Sequence, residues 1–440
     1  MSRPTRRKDA ARTIAFTVLR EVWGNGAYAN LALGQRREGL HAADAAFVTE
    51  LVSGTCRALG TYDLIIARAS GRALNSLQPA VVDVLRLGTH QLLAMRVPTH
   101  AAISATVDLA ALQIGERVAG TVNAILRKVA AHDVAGWLEL LSEGSDERGR
   151  LALATNHPRW IVDAWAQVLP ADELADALAA DNVAPSPCLV VRPGLADRAE
   201  LGGTPTRWSP FGAHRDGDPS AVDVVREGRA GVQDEGSQLV ALALARATAP
   251  AGPWLDLCAG PGGKSALLAG LAREAGELLV ASELQPHRAR LVADNLRAYR
   301  EPNRPVTIVA DATRPAWRDG AFARALADVP CTGLGALRRR PESRWRRKPT
   351  DLPGLVALQR DLLSTAIRSV APGGVVAYVT CSPHPAETVE VVAGATGVTV
   401  LSAPEHLPEV PDAASGDFVQ LWPHRHGTDA MFLALLRRNA

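Results

Sequence analysis

Residues 255–265, Leu-Asp-Leu-Cys-Ala-Gly-Pro-Gly-Gly-Lys-Ser, decide how the second half of this chain folds. The apolar run 254–258 has the composition of a buried strand, and it ends directly in a glycine-rich turn. A helix is expected to begin near Lys264. Glycines allow a ligand to approach the backbone closely, and the first N–H groups of a helix are oriented donors. The stretch therefore predicts a strand, a ligand-binding loop and a helix in succession.

A phosphate-binding P-loop is the nearest alternative interpretation of this stretch. Its pattern, GxxxxGK[ST], is matched at the end by Gly263, Lys264 and Ser265. Cys258, however, stands where the first glycine of that pattern must lie. The sequence therefore disfavours an ATPase, although a single residue separates the two patterns.

Outward from this loop, strand-like apolar runs alternate with helical segments. This alternation predicts βαβ units and a mainly parallel sheet, in which ligands bind beyond the carboxyl ends of the strands. The expected strands are 277–282, 306–310, 324–328 and 375–380, and the expected helices include 238–248 and 352–369. The chemically distinctive residues that fall at the ends of these strands are Cys258, Glu283, Asp311, Asp328 and Cys381.

Two carboxylates after the strands fit a nucleoside. Glu283 lies 25 residues after Cys258, close to the roughly 20 expected for an acid that binds ribose hydroxyls. Asp311 could accept a hydrogen bond from an adenine amino group. Each carboxylate could instead simply cap the following helix, but both together with the glycine loop favour a nucleoside-containing cofactor. The expected contact residues are Cys258, Ala259, Gly260, Pro261, Gly262, Gly263, Lys264, Glu283 and Asp311.

The five cysteines are widely spaced and form no CxxC pair, so neither a disulfide framework nor a metal site is expected. A lone cysteine is most often a small buried hydrophobe, which is the interpretation for Cys56 and Cys188. Cys331 and Cys381 differ because each follows an expected strand in a proline-containing turn at the ligand edge. That placement favours nucleophilic or acid–base chemistry for these two thiols.

The first part of the chain has a different pattern. Its apolar residues recur at helical spacing, as in Ile14, Val18 and Val22, without strand alternation. This predicts an all-α domain at 1–140, a polar linker near 143–150, a small connecting subdomain at 151–235 and the α/β domain at 236–440. The composition, 47% hydrophobic and 21% charged, excludes wholesale disorder. No apolar run approaches the roughly 20 residues that span a bilayer, so a cytoplasmic protein without membrane contacts is expected.

Three ordered motifs of the α/β half resemble a known family. The runs LDLCAGPGGKS, DVPCTGLGALRRRPESRW and VTCSPHPAE are similar to those of the S-adenosylmethionine-dependent RNA cytosine-C5 methyltransferases of the RsmB (Sun/Fmu) and NOL1/NOP2 group. Upstream, DAAFVTELVSGTCR, LRLGTHQLLAMRVPTHAAI and VNAILRK resemble the NusB-like helical domain of the RsmB branch. The resemblance implies a NusB-like all-α domain followed by a Rossmann-like class I methyltransferase domain.

The resemblance also implies a chemistry for the two thiols. Cys381 would be the nucleophile that adds to C6 of cytosine, and Cys331 would assist the later elimination. The alternative, in which Cys331 attacks and Cys381 supports it, is disfavoured on family grounds. Asp328 would bond the N3/N4 edge of the base and lie against the cofactor, S-adenosylmethionine. Lys264 would orient the substrate or Asp328, although it could merely begin its helix.

A basic segment directly follows Cys331. Although the net charge of the chain is only +2, seven of the residues 338–348 are positively charged, and Trp345 among them could stack on a base. A solvated face is the usual explanation of such a run, but its position favours RNA phosphate contacts. The expected RNA-binding residues are Arg338, Arg339, Arg340, Arg344, Trp345, Arg346, Arg347 and Lys348, and the basic start of the chain, Arg3, Arg6, Arg7 and Lys8, extends them.

The motifs indicate the chemistry more strongly than the substrate. The RsmB-like helical domain favours a cytosine of small-subunit (16S) rRNA, modified by a monomeric enzyme. A tRNA methyltransferase and a non-catalytic ribosome-assembly factor are the alternatives. The presence of Asp328, Cys331 and Cys381 beside a complete cofactor loop argues against the non-catalytic one.

Overall fold

The computed structural model describes residues 6–36 and 39–440 of the chain. Its α-helices are α1 Ala10–Asn25, α2 Ala29–Arg36, α3 Ala42–Ser70, α4 Pro79–Leu93, α5 Thr99–Gln113, α6 Glu116–Val129, α7 Val134–Ser142, α8 Glu147–Ala154, α9 Arg159–Trp165, α10 Leu174–Ala180, α11 Asp223–Arg226, α12 Glu235–Arg246, α13 Gly263–Glu274, α14 Pro286–Leu296, α15 Ser343–Arg346, α16 Leu352–Ser369, α17 Val389–Ala393 and α18 Pro423–His426. Its strands are β1 Cys188–Val191, β2 Thr204–Pro205, β3 Gly212–His214, β4 Ala230–Val232, β5 Trp254–Asp256, β6 Leu279–Glu283, β7 Val306–Val309, β8 Phe322–Asp328, β9 Val370–Thr380, β10 Val398–Leu401, β11 Ala414–Ser415, β12 Phe418–Gln420 and β13 Phe432–Arg438.

The chain divides into two compact units, and the division is discontinuous in sequence. The helical unit comprises the chain up to Asn182 together with residues 337–347, and the sheet unit comprises 183–336 and 348–440. The expected boundaries near 140 and 236 do not coincide with this division. Helices α8–α10 stay with the N-terminal helices, while the expected connecting subdomain is split at Asn182.

The helical unit is built from amphipathic helices whose apolar faces meet in one core. Helix α3 is central to it and buries Val48, Leu51 and Cys56 on the face that packs against α1 and α4. Where α4 passes α6, Gly88 permits close approach, since a Cβ at this position would lie 2.7 Å from a methyl group of Leu126. The all-α prediction for this part of the chain is confirmed.

The sheet unit contains a nine-stranded sheet in the order β11-β12-β13-β9-β8-β5-β6-β7, with β10 paired to β13. Strands β5, β6, β7, β8 and β9 pair with one another in parallel. The pairs of β13 with β9, β12 and β10, and of β12 with β11, are antiparallel. The mainly parallel prediction therefore holds for the strands that carry the motifs. Because β5 lies between β6 and β8, the chain order reverses beside β5, and a crevice forms there at the carboxyl ends.

A second, small antiparallel sheet precedes the large one in the same unit. Its order is β2-β3-β1-β4, and Leu189, Val191 and Ala213 lie in its own apolar core. The short extended piece that the sequence predicts at 188–191 is β1. Among the described helices none is both long enough and apolar enough to cross a membrane.

Candidate active site

The glycine-rich loop between β5 and α13 is fixed by side chains that lie beside it. The Gly260 N–H donates to Glu283 Oε2 at 3.0 Å, and the Arg288 guanidinium donates to the Gly260 carbonyl at 2.6 Å. The Asn295 amide donates to the Pro261 carbonyl at 2.9 Å. These contacts come from the end of β6 and from α14, so the next βα unit sets the conformation of the loop.

Two glycines of this loop cannot carry a side chain. A Cβ on Gly260 would lie 2.2 Å from Glu283 Oε2, and one on Gly262 would lie 2.9 Å from the Val292 Cα. Gly262 also has a φ of 108°, which L side chains rarely adopt. The loop therefore depends on glycine both for space and for backbone conformation, as the sequence predicts for a cofactor loop.

Glu283 and Asp311 occupy different environments. Glu283 is buried, and its two oxygens accept from the backbone N–H groups of Gly260 and Gln285. Asp311 is exposed, and its Oδ1 accepts from the backbone N–H and hydroxyl of Thr313, which lower its pKa. Glu283 thus lies against the cofactor loop, while the described contacts of Asp311 are those of a local turn.

Asp256, at the end of β5, is a buried carboxylate that the sequence interpretation did not single out. Its Oδ2 accepts a hydrogen bond from Ser265 Oγ at 2.6 Å and so connects β5 to the first turn of α13. Burial raises the pKa of Asp256 to about 7, against the lowering effect of the Ser265 hydroxyl. The signal that could have found it is the aspartate placed among apolar neighbours in the run 254–258.

Asp256→Asn is expected to change how stability depends on pH. Because the pKa of Asp256 is raised from 3.8 to about 7, the folded protein binds a proton that the unfolded chain releases. Its contribution is complete below pH 4 and is lost as the pH rises towards 7, by on the order of 4 kcal/mol in the free energy of unfolding. Denaturant unfolding of both proteins from pH 4 to pH 8 measures it. A stability difference between them that is constant across this range would contradict the prediction.

Lys264 and Asp328 form an ion pair beside the loop. The Lys264 Nζ donates to Asp328 Oδ2 at 2.8 Å, joining the start of α13 to the end of β8. Burial opposes the charged form of Lys264, but the Asp328 carboxylate outweighs it and raises the lysine pKa. Lys264 therefore does more than begin its helix, since it holds the Asp328 carboxylate in place.

The two strand-end cysteines are brought together. The sulfurs of Cys331 and Cys381 are 3.4 Å apart, within hydrogen-bond distance for thiols. Cys331 is 9% exposed, and Cys381 is more accessible. The hydrogen bond to Cys381 and burial raise the pKa of Cys331 well above its usual value. Cys331 is therefore the less accessible thiol of the pair, and its thiolate form is disfavoured.

The turn that carries Cys381 is fixed by its neighbours. The Gly335 N–H donates to the Cys381 carbonyl at 2.9 Å, and the Ala430 N–H donates to the Gly335 carbonyl at 2.8 Å. A Cβ on Gly335 would lie 2.0 Å from the Ala430 carbonyl oxygen. The loop after Cys331, the turn at Cys381 and the segment before β13 thus pack as one block.

Cys258 is the third cysteine of this region and has a different environment. It lies within the glycine loop, where burial and the nearby carboxylates raise its pKa. A thiol that stays protonated fits the expectation that Cys258 serves packing and backbone contact.

The arginine-rich segment, residues 337–347, is anchored inside the helical unit. Arg344 is fully buried, and its guanidinium donates to the carbonyls of Asn156 and Asp181 and to the side chain of Asn182. The expectation that Arg344 binds RNA phosphate is therefore wrong. A buried guanidinium that donates to backbone carbonyls stabilises the fold. The run of positive charges in the sequence does not show that Arg344 is buried.

The neighbours of Arg344 also bond within the helical unit. The Trp345 indole N–H donates to the Arg57 carbonyl at 3.1 Å, and its ring fills the space above Gly60 of α3. Arg346 donates to carbonyls near the end of α1, including Ala27 at 2.6 Å. These contacts occupy groups that were expected to meet RNA.

The other basic residues of the expected RNA surface vary in exposure. Arg340 is exposed, with its guanidinium 4.9 Å from the ring centre of Tyr28, and Lys348 is exposed in the sheet unit. Arg338 is buried, and Arg339 and Arg347 are half-buried. At the start of the chain, Arg6 is paired with Asp108 and Glu116, while Arg7 and Lys8 are exposed and Arg3 lies outside the described residues.

Arg344→Ala is expected to destabilise the helical unit. The substitution leaves buried carbonyls and the Asn182 amide oxygen without their donor, which lowers the free energy of unfolding by about 3 kcal/mol. Thermal and denaturant unfolding of the full chain measure this, with Lys348→Ala as the control because its side chain is exposed. Unchanged stability combined with weakened RNA binding would restore the phosphate-binding interpretation of Arg344.

The fold and the site together define a class of protein. A parallel α/β sheet with a glycine loop after its first strand and a buried acid after its second is the architecture of enzymes that bind nucleoside cofactors. A family model described as "16S rRNA methyltransferase RsmB/F" matches residues 241–437, and the NusB family model matches 9–131. The class is therefore that of RNA methyltransferases with a Rossmann-like catalytic domain.

Relatives extend over nearly the whole chain. A Mycobacterium tuberculosis protein named as a methyltransferase is 48% identical over 456 residues, covering 99% of both chains. The ribosomal RNA small subunit methyltransferase B of Pseudomonas putida is 31% identical over 398 residues, covering 87% of both. The crystal structure of PH0851 shares the fold, with a TM-score of 0.80, 21% identity and coverage of 99% of this chain and 100% of that one. This chain belongs to the RsmB/F family of RNA methyltransferases.

Proposed function

We propose that the protein transfers a methyl group from S-adenosylmethionine to C5 of a cytosine in 16S rRNA, with Cys381 as the covalent nucleophile. The observation that carries this proposal is the pair of thiols, Cys331 and Cys381, 3.4 Å apart at the carboxyl ends of adjacent strands. Methyl transfer to a nitrogen or oxygen needs no thiol, because those atoms already hold a lone pair. Two thiols at this edge therefore favour a carbon acceptor.

Cytosine C5 becomes reactive only after a nucleophile adds to the ring. The Cys381 thiolate forms a bond to C6, and the electron pair of the C5–C6 double bond moves towards C5. S-Adenosylmethionine supplies the methyl group on a positively charged sulfur, and C5 takes it. Water then takes the proton from C5, and the electrons of that C–H bond restore the double bond as the C6–Sγ bond breaks. Cys381 is returned as a thiolate.

Cys331 and Asp328 take separate roles in this proposal. Cys331 is the less exposed thiol of the pair, and its S–H can donate to the Cys381 sulfur, 3.4 Å away, as the C6–Sγ bond breaks. Asp328 accepts a hydrogen bond from the N4 amino group, and its partner Lys264 keeps that carboxylate oriented. The greater exposure of Cys381 supports the assignment of attack to Cys381 over its alternative.

The residues of the glycine loop fit S-adenosylmethionine. The loop brings backbone N–H groups of α13 to the crevice, and Gly260 leaves no room for a side chain beside Glu283. Each Glu283 oxygen accepts one backbone hydrogen bond and retains a further lone pair for a ribose hydroxyl. Asp311 is exposed and remains available to an adenine amino group.

The RNA must present an accessible base. A cytosine stacked in a duplex cannot offer C6 to a thiol, so the target is flipped out or already single-stranded. The names of the relatives support small-subunit rRNA as the substrate. We infer that the protein acts as a monomer in the cytoplasm, and that the remaining exposed basic residues, Arg340 and Lys348 among them, meet RNA phosphates.

Bisulfite sequencing of rRNA and tRNA from a deletion strain tests the substrate. We expect a single 16S rRNA cytosine to lose its mark, and the mark to return when the wild-type gene is restored. Loss of a tRNA mark instead would identify a tRNA methyltransferase. No change in either RNA pool would favour a non-catalytic assembly factor and contradict the proposal.

A further inference from the structure

Glu387 is a buried carboxylate close to the two cysteine-bearing turns. Its Oε1 accepts from the Thr332 backbone N–H at 2.8 Å and from the Gln359 side-chain amide at 3.0 Å. Its Oε2 accepts from the hydroxyls of Thr332 and Ser382, the latter at 2.7 Å. Glu387 is 0% exposed, and these four protein donors satisfy its carboxylate in place of water.

The partners of this carboxylate are the residues next to the two sulfurs. Thr332 directly follows Cys331, and Ser382 directly follows Cys381. The two hydroxyls also lie 3.1 Å from each other. The Glu387 carboxylate therefore accepts hydrogen bonds from the turn after β8 and from the turn after β9. The same two oxygen atoms hold both turns.

We propose that Glu387 is a positioning residue that sets the separation of the Cys331 and Cys381 sulfurs. It acts through Thr332 and Ser382 and does not itself touch the base. The inference rests on the proposed function in one respect, namely that the two thiols act on a cytosine.

Glu387 is itself held rigidly, as a positioning group must be. The hydroxyl of Tyr378, a buried residue of β9, donates to the Glu387 carbonyl at 2.7 Å. The Gln359 amide, on α16, also donates to the Pro330 carbonyl at 2.9 Å, directly before Cys331. The carboxylate thus connects the strand and the helix beside the site to both turns.

The negative charge of Glu387 also acts on the Cys331 thiol, in addition to the hydrogen bonds that fix the two turns. After the hydrogen bond to Cys381 and burial, the negative charge of Glu387 is among the effects that raise the pKa of Cys331. It therefore helps to keep Cys331 protonated while Cys381 attacks. Neutral replacements remove this effect even where they keep some of the hydrogen bonds.

Glu387→Ala and Glu387→Gln test the proposal, with Glu390→Gln as the matched control because Glu390 lies three residues on and is exposed. We expect Glu387→Ala to lower kcat by about 100-fold, since displacement of a reacting group by about 1 Å costs this much. The KM for S-adenosylmethionine is expected to stay within about twofold of wild type, because the glycine loop is untouched. Glu387→Gln keeps one acceptor oxygen and should recover part of kcat, and Glu390→Gln should match wild type.

A second measurement reports the sulfur geometry without any catalysis. Diamide takes one hydrogen atom from each thiol and becomes a hydrazine, leaving a disulfide between Cys331 and Cys381, which mass spectrometry quantifies over time. Wild type is expected to form this bond readily, and Glu387→Ala at least about tenfold more slowly, because disulfide geometry is specific. Labelling of the buried Cys56 and Cys188 reports any general unfolding.

The two measurements separate the possible outcomes. Wild-type kcat and a wild-type rate of disulfide formation in Glu387→Ala would overturn the positioning role, even with a lower unfolding temperature. If wild type makes no 5-methylcytosine, the proposed function fails while the diamide rates still decide the role of Glu387. Should Glu387→Ala label at Cys56 and Cys188, Ser382→Ala removes one of the four hydrogen bonds and is expected to slow disulfide formation without unfolding.

Discussion

Cys381→Ala is expected to abolish methyl transfer, with a loss of at least about 10³-fold, because the variant has no group that can form the bond to C6. Cys331, 3.4 Å away, is only 9% exposed and is not expected to take over the attack. Transfer of labelled methyl groups from S-adenosylmethionine to 16S rRNA measures the effect. Cofactor binding, measured by equilibrium dialysis, should not change, because the glycine loop lies on a different strand.

Cys56→Ala is the control for this experiment. Cys56 is buried in the core of the helical unit and has no place in the proposed chemistry. Its variant should keep wild-type transfer, so any loss in Cys381→Ala belongs to the thiol and not to cysteine replacement in general. Accumulation of a covalent RNA adduct in Cys381→Ala would show that Cys331 attacks, and would reverse the two assignments.

The sequence predicted the sheet and its reactive edge because both depend on local patterns. A strand, a glycine turn and a helix start are readable in residues 255–265, and each later strand ends in a residue of distinct chemistry. Parallel strands place their carboxyl ends along one edge, so Asp328, Cys331 and Cys381 meet there without any long-range information. The approach of the two sulfurs follows from the pairing of β8 with β9.

The burial of Arg344 in the arginine-rich segment was not predicted because charge does not report burial. Arg344 and Arg346 bond backbone carbonyls that lie just after helices more than 150 positions earlier in the chain. Such partners cannot be inferred from a run of like charges, which is usually solvated. The same segment makes the division of the chain discontinuous, because residues 337–347 belong to the helical unit although the residues on both sides of them belong to the sheet unit. Composition alone cannot predict a discontinuous unit.

Glu387 and Asp256 were missed for a related reason. Both are carboxylates inside motifs that the sequence analysis quoted, yet their significance lies in being buried with specific donors. Asp311 differs from both, because its position at a strand end predicted a ligand and its described contacts, to Thr313, engage only Oδ1. A position at the end of a strand indicates that a side chain can reach the ligand edge. The contacts of that side chain in the structure then show whether it is fixed in place there.

Cys331→Ala is expected to allow methylation but to trap the protein on its RNA. The Cys381 thiolate remains and still bonds to C6, whereas the thiol that donates a proton to its sulfur during the elimination is gone. The adduct should persist as a species of lower mobility on a denaturing gel after incubation with RNA and S-adenosylmethionine, with labelled methyl groups in the same band. The double variant Cys331→Ala/Cys381→Ala is the control and should form no such band. Rapid turnover without an adduct in Cys331→Ala would remove Cys331 from the release step and leave Cys381 as the sole reacting thiol.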